Sequence, residues 1–410
     1  MELKTNYQYT YFIYPFAIKE GKYQKYMLKM LKDPNCQLKI FKKEQDFKLY
    51  EYFLPKARSI LFSSFSFSNA KLKKLNDLPL ETRAAILSKY PCNIFEYKLK
   101  KDIQGKVGER SGIFFTIQKM EIICFNTGIC FLAIKTNVED ADNFDNILNF
   151  NYKFRDINNE FERQNSYDNI KIQTDSFENI KTFQEFIYNI TGSNEDASKL
   201  DIDTERFLTY SYACIDQQYW NNTVGFDNIK DYFSKFASIL PADDTRKIDF
   251  DKLQSFSKWT YAKLGISKLG VILFSSSYDS NNYTKLPEEF ENQYFYLYIL
   301  NLYKKIYLKK LSIDFQDIKK IKKARKKFIY FTKNLWIQEI TEDEIGTILN
   351  HKLQEALELE KLYNEAKTKY DTLYKELNIE KDRTATALIA IILVISLILN
   401  ILNFILLAKK

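Results

Sequence analysis

Residues 384–408, "TATALIAIILVISLILNILNFILLA", make a run of 25 positions without a charge, and no other stretch limits the folding of the chain so strongly. As a helix the run is ~37 Å long at ~1.5 Å per residue, enough to cross the ~30 Å of a bilayer's hydrocarbon once and too little to cross twice. "EKDR" precedes it and Lys409 and Lys410 follow it. The sequence therefore predicts a single C-terminal transmembrane helix, tail-anchored because so few residues follow the run. A buried core helix is the competing reading, although such helices are rarely so long and so uniformly rich in Leu and Ile. Ser396, Asn400 and Asn403, spaced by four and three, fall on one side of the helix as a polar stripe. Amides facing lipid leave donors and acceptors unpaired, so the stripe predicts pairing with another helix or the lining of a passage. Contact with headgroups at the far interface is the alternative.

Upstream, "TEDEIGTILNHKLQEALELEKLYNEAKTKYDTLYKELNIEKDR" opens with a capping box, Thr341 as N-cap and Glu344 three residues on, and contains no proline. A long stalk helix over 341–383 is expected. Its apolar positions Leu349, Leu353, Ala356, Leu359, Tyr363, Ala366, Tyr370, Leu373 and Leu377 step by threes and fours, the pattern of a packing seam. Spacing alone leaves open whether that seam meets copies of itself or its own body. The seam and the polar stripe fall on different sides, so the helix bends near 381–387 or the two serve different neighbours. His351, the only histidine, lies among polar residues with no catalytic constellation around it and reads as a solvated surface residue.

The first 290 residues mix strands such as "YQYTYFIYPFAI", "CNIFEYKLK" and "RFLTYSYACI" with amphipathic helices such as "GKYQKYMLKMLKD". An α+β cytosolic, sensor-like domain over 1–290 follows, then a basic helical segment over 291–340, the stalk over 341–383 and the span over 384–408. Around Asn126, Thr127 and Gly128 two strands should form a hairpin with Cys124 opposite Cys130. The five cysteines are odd in number and lack C-x-x-C spacing, so neither a disulfide framework nor a zinc site is indicated. "MELKTNYQYTYFIYPF" lacks the pattern of a signal peptide, which places the large N-terminal domain in the cytoplasm and the chain in the cell inner membrane as a single-pass protein.

Net charge is +8, and the excess is concentrated in "KKIKKARKK", where Lys319, Lys320, Lys322, Lys323, Arg325, Lys326 and Lys327 would face anionic headgroups or simply solvent. Nucleic-acid binding is the weaker use of such a face in a tethered chain. One loop, "DIQGKVGERSGIF", gathers Gly105, Gly108 and Gly112 beside Lys106, Arg110 and Ser111, a composition suited to backbone amides and cations approaching a phosphate. It matches neither a Walker loop nor a dinucleotide fingerprint, and a mobile hairpin is the plainer reading. "EDADNF" begins like a calcium loop and fails at its third ligand and glycine. No catalytic constellation is present, so no enzyme is predicted, and no cofactor or metal is indicated.

An N-terminal α+β domain, a helical segment and a long helix over 342–408 ending in a short basic tail resemble, in that order, the CorA family of membrane transport proteins. The chain lacks that family's Gly-Met-Asn motif, its methionines being Met1, Met27, Met30 and Met120, and has no room for a second span. The CorA-like group found beside type III CRISPR systems is the nearer resemblance. It implies a homo-oligomeric, membrane-anchored effector in antiviral defence that forms a pore or perturbs the bilayer. Control would come from a nucleotide messenger, a conjugate of S-adenosylmethionine and AMP, bound by the cytosolic domain. A tail-anchored scaffold without transport activity is the alternative.

Overall fold

A computed structural model describes residues 3–98, 103–107, 112–157, 170–173, 183–192, 200, 202, 205–246, 253–317 and 320–408. Its centre is one mixed sheet. Eleven strands belong to it: β1 (Thr5–Ala17), β2 (Cys36–Leu38), β3 (Cys92–Tyr97), β4 (Ile103–Val107), β5 (Ile113–Phe125), β6 (Ile129–Val138), β7 (Ile170–Gln173), β8 (Leu208–Ile215), β9 (Gln254–Trp259), β10 (Ala262–Ile266) and β11 (Gly270–Ser276). The order is β2-β3-β5-β6-β1-β8-β11-β10-β9, with β4 and β7 branching from β5. All pairings are antiparallel except β8 with β11. The β5–β6 hairpin sets Cys124 opposite Cys130, the register its sequence predicts. Gly128 turns it at φ 82°, and a Cβ there would meet the Ile18 carbonyl oxygen at 2.6 Å, so both conformation and space demand glycine.

Helices cover both faces of the sheet. On one lie α1 (Tyr23–Lys32), α5 (Leu80–Leu87), α6 (Phe144–Phe154), α7 (Phe183–Thr191) and α8 (Lys230–Ser238), packed on Phe12, Ile122, Leu132 and Phe274. The short α2 (Phe47–Tyr52), α3 (Pro55–Leu61), α4 (Asn69–Asn76) and α9 (Lys285–Glu289) fill the connections. The other face presents Tyr9, Tyr11, Ile123, Phe131, Tyr210 and Tyr212 to α10 (Phe295–Gln316). This 22-residue helix is buried on nearly every side because α11 (Ile321–Tyr330), α12 (Glu344–Ala356) and α13 (Leu359–Ala408) close over it.

The stalk differs from its expected form. Asp343, not Thr341, caps α12 by accepting the Gly346 amide, while the Thr341 hydroxyl accepts the Asp343 amide. The expected continuous helix breaks at Glu358, whose φ of 55° ends α12 and reorients the chain into α13. Leu357 and Leu359 are both buried at the break, and α13 lays Leu359, Leu362, Tyr363, Ala366, Tyr370 and Leu373 on its own body.

The expected membrane span requires correction. Among the described residues, no helix is long and apolar enough to cross a membrane. This overturns the transmembrane helix assigned to 384–408, the fold class built on it and the single-pass inner-membrane placement.

Candidate functional site

Charged side chains inside the apolar strands β5 and β6 build the most distinctive constellation. The β5–β6 register sets Lys119 beside Lys135, and the β6–β1 register sets Lys135 beside Tyr11, so three polar groups line up across adjacent strands. Glu121 follows Lys119 by two residues and shares its side of β5. The helical layer answers with Glu291 and Tyr296. Glu291 belongs to a π-helical turn, Phe290–Tyr294, that leads into α10.

The groups form a ladder. Lys39 Nζ donates to Glu121 Oε1 at 2.9 Å, and Lys119 Nζ reaches the same oxygen at 3.2 Å. Lys119 also lies 3.9 Å from Glu291 Oε1, which accepts the Tyr11 hydroxyl at 2.6 Å, while Lys135 donates to Glu291 Oε2 at 2.7 Å. Glu121 is 1% exposed. Burial pushes its carboxyl up, and the ammonium groups of Lys119 and Lys39 more than reverse this, holding it below the usual carboxylate range. Burial raises Glu291 likewise, and Lys135 with the Tyr11 hydroxyl brings it down. Both carboxylates are therefore ionised at neutral pH. They act as fixed charges that hold lysines in place and have no proton to donate.

One end of the ladder opens. Lys39, whose Nζ also lies 3.3 Å from the Tyr296 hydroxyl, lines a groove of about 590 Å³ with Gln37, Lys42, Gln45, Lys73, Asn76 and Glu96. That volume falls in the ~300–1,000 Å³ range of small-molecule sites. Three lysines face one glutamate there. Among the described residues neither Lys42 nor Lys73 has an ion-pair partner, so the groove presents excess positive charge beside amides able to orient a ligand.

The residues singled out from sequence lie elsewhere. Gly105 sits in β4, where a Cβ would meet the Phe115 ring at 2.3 Å, so ring packing accounts for the glycine. The ammonium of Lys106 lies 5.7 Å from the centre of the Phe114 ring. Gly108, Arg110 and Ser111 lie outside the described residues, as does Lys319. Of the other basic residues, Lys320 pairs with Asp317 at 3.0 Å and Lys323 with Glu20 at 2.9 Å. Lys327 pairs with both Glu20 and Asp314, beside a second cavity of about 160 Å³ that Lys310 also lines. Arg325 lies over the Tyr370 and Tyr374 rings of α13 at 5.7 and 4.8 Å. Lys322 and Lys326 are exposed. Much of the basic segment thus ties α11 to α13 and to the β1–α1 turn. Ser396 is exposed on α13, with Asn400 and Asn403 further along the same helix, beyond the side chains described.

Sequence reasoning missed Lys39, Lys119, Glu121, Lys135 and Glu291. The available signal was a charge inside an apolar strand run, Glu121 in "MEIICF" and Lys135 in "FLAIKTN".

No protein-family model matches the chain, and neither does any curated protein or solved structure. With the span overturned, the associated expectations of a CorA-like ion channel, a CRISPR effector and a nucleotide-messenger site are withdrawn as well.

Proposed function

We propose that the chain is a ligand-responsive binding protein whose groove takes a small polyanion. The observation that carries this reading is the double role of Lys39, which is at once a wall of the groove and a partner of buried Glu121. An incoming anion competes with Glu121 for the Lys39 ammonium while Lys42 and Lys73 supply further charge. When Lys39 turns toward the ligand, Glu121 keeps Lys119 alone and the Tyr296 hydroxyl on α10 loses its neighbour, so occupancy reaches the helical layer.

Isothermal titration of the full chain with inorganic pyrophosphate, and separately with citrate, tests the proposal. Binding is expected to weaken with added salt and to fall about tenfold or more, ~1.4 kcal/mol, in Lys42→Ala/Lys73→Ala. Absence of binding, or equal affinity in the double variant, contradicts it.

A further inference from the structure

Lys310 carries a charge that the fold leaves without an acid. It is half-buried on α10, and its ammonium donates to the Thr127 carbonyl at 3.3 Å, a long hydrogen bond. Asp314, one turn further along α10, is taken by Lys327 at 2.9 Å, and Glu20 is taken by Lys323 and Lys327 at 2.9 and 3.2 Å. Among the described residues Lys310 therefore has no ion-pair partner. Burial, and then the nearby Lys327, push its amine down from the usual lysine range, the direction expected of a cation short of counter-charge.

Both partners of that long hydrogen bond line the cavity of about 160 Å³ between the β1–α1 turn, the β5–β6 turn, α10 and α11. The volume equals that of about five waters and just exceeds the ~150 Å³ that accepts benzene in an apolar core. Part of the wall is apolar and fixed. Tyr307 stacks on Phe331 at 5.0 Å, and the Tyr23 hydroxyl is committed to the Cys124 carbonyl at 2.9 Å, so both rings are held in place beside buried Ile18 and Leu311.

We infer that this cavity is a second ligand site, which takes a small aromatic or branched monocarboxylate with its carboxylate on Lys310 and its apolar end against Ile18, Tyr23 and Leu311. Size limits the ligand to about that of benzene with one polar group. Charge limits it to a single negative one, because Lys19, Lys310 and Lys327 line the cavity against Glu20 and Asp314, three cations to two acids. A polyanion brings surplus charge against both acids, and a cation meets the unmatched Lys310. The site is independent of the groove, since no residue lines both.

Isothermal titration of the full chain with sodium benzoate, beside benzyl alcohol and benzylamine as neutral and cationic probes, tests the inference. Benzoate is expected to bind about tenfold or more tightly than either, to lose about tenfold or more in Lys310→Met, and to be unaffected by Lys42→Ala/Lys73→Ala. A second measurement uses the wild type alone, so it stands if the variant fails to fold. Saturating benzoate should slow acetylation of Lys310 by acetic anhydride about threefold or more, read by peptide mass spectrometry, and leave Lys42 and Lys73 unchanged. Any of four results overturns the inference: no benzoate binding, equal affinity for the three probes, unchanged affinity in Lys310→Met, or protection of Lys42 and Lys73 in place of Lys310.

Discussion

Lys304 is 1% exposed, and its ammonium donates to the Ile337 carbonyl at 2.7 Å. Burial pushes this amine down from 10.5 to about 7. Between those values the unfolded chain holds a proton that the folded chain lacks, so stability rises with pH from about 7 toward about 10.5. Below about 7 both states are protonated, and the folded state carries the full cost of a buried charge. Lys305 and Lys310 are lowered by burial as well and add the same sign. Lys304→Met is therefore expected to flatten the slope in this window. Near pH 6 it should stabilise the fold by roughly a few kcal/mol, less ~1 kcal/mol for the hydrogen bond to Ile337. Urea unfolding near pH 6, 8 and 9.5 checks this, and a slope unchanged by the substitution contradicts it. Glu291→Gln tests the ladder in the opposite sense. It leaves Lys135 beside a neutral amide, and a loss of about 3 kcal/mol is expected in the same assay. A cost below ~1 kcal/mol would mean that the pair is solvated as a surface pair is.

The π-helical turn at Phe290–Tyr294 joins α9 to α10 and leaves carbonyls available to side chains. Tyr9 donates to the Pro287 carbonyl at 2.9 Å, and Tyr210 donates to the Phe290 carbonyl at 2.6 Å while stacking on the Phe290 ring. These contacts fix the turn over β1 and β8 and so aim Glu291 at the lysines of β5 and β6. Tyr210→Phe keeps the stack and should cost about 1 kcal/mol, whereas Tyr210→Ala should cost about 3–5 kcal/mol. Equal costs would show that the ring contributes nothing. The α12–α13 joint makes a different prediction. Glu358 adopts a left-handed conformation that disfavours side chains, and its bond to Lys268 at 3.4 Å is exposed. Glu358→Gly should thus be neutral or stabilising by up to ~1 kcal/mol, and a clear loss of stability in denaturant would refute this. No glycine or proline marks that joint in "EALELEKL", because the burial of Leu357 and Leu359 dictates it and not local preference. By contrast β1, β3, β6, β8 and β11 were legible from their apolar runs and bounding turns. Strand β4 was obscured by Gly105, whose role depends on Phe115 from the neighbouring strand. Helices α2 to α5 are too short for periodicity to declare them.

One apolar core runs from Tyr9 through α10 to Ala366, so the helical layer and the start of α13 complete the sheet domain. Sequence spacing left open whether the stalk seam meets its own body, and contacts from Leu359 to Leu373 answer for that part. The groove and ladder were illegible for a related reason. Lys39, Glu121 and Glu291 are far apart in the chain, and only the sheet order and the docking of the π-helical turn bring them together. Charge composition pointed to the basic run of α11 instead, much of which is occupied with Glu20, Asp314, Asp317 and the tyrosines of α13. If the groove works as proposed, Glu121 and a ligand compete for the Lys39 ammonium. Titration of pyrophosphate into Glu121→Gln, with its fold checked by near-ultraviolet circular dichroism, tests that competition most directly. Release of Lys39 from the carboxylate should tighten binding by about threefold to tenfold, ~0.7–1.4 kcal/mol. Affinity that is unchanged or weaker would contradict it.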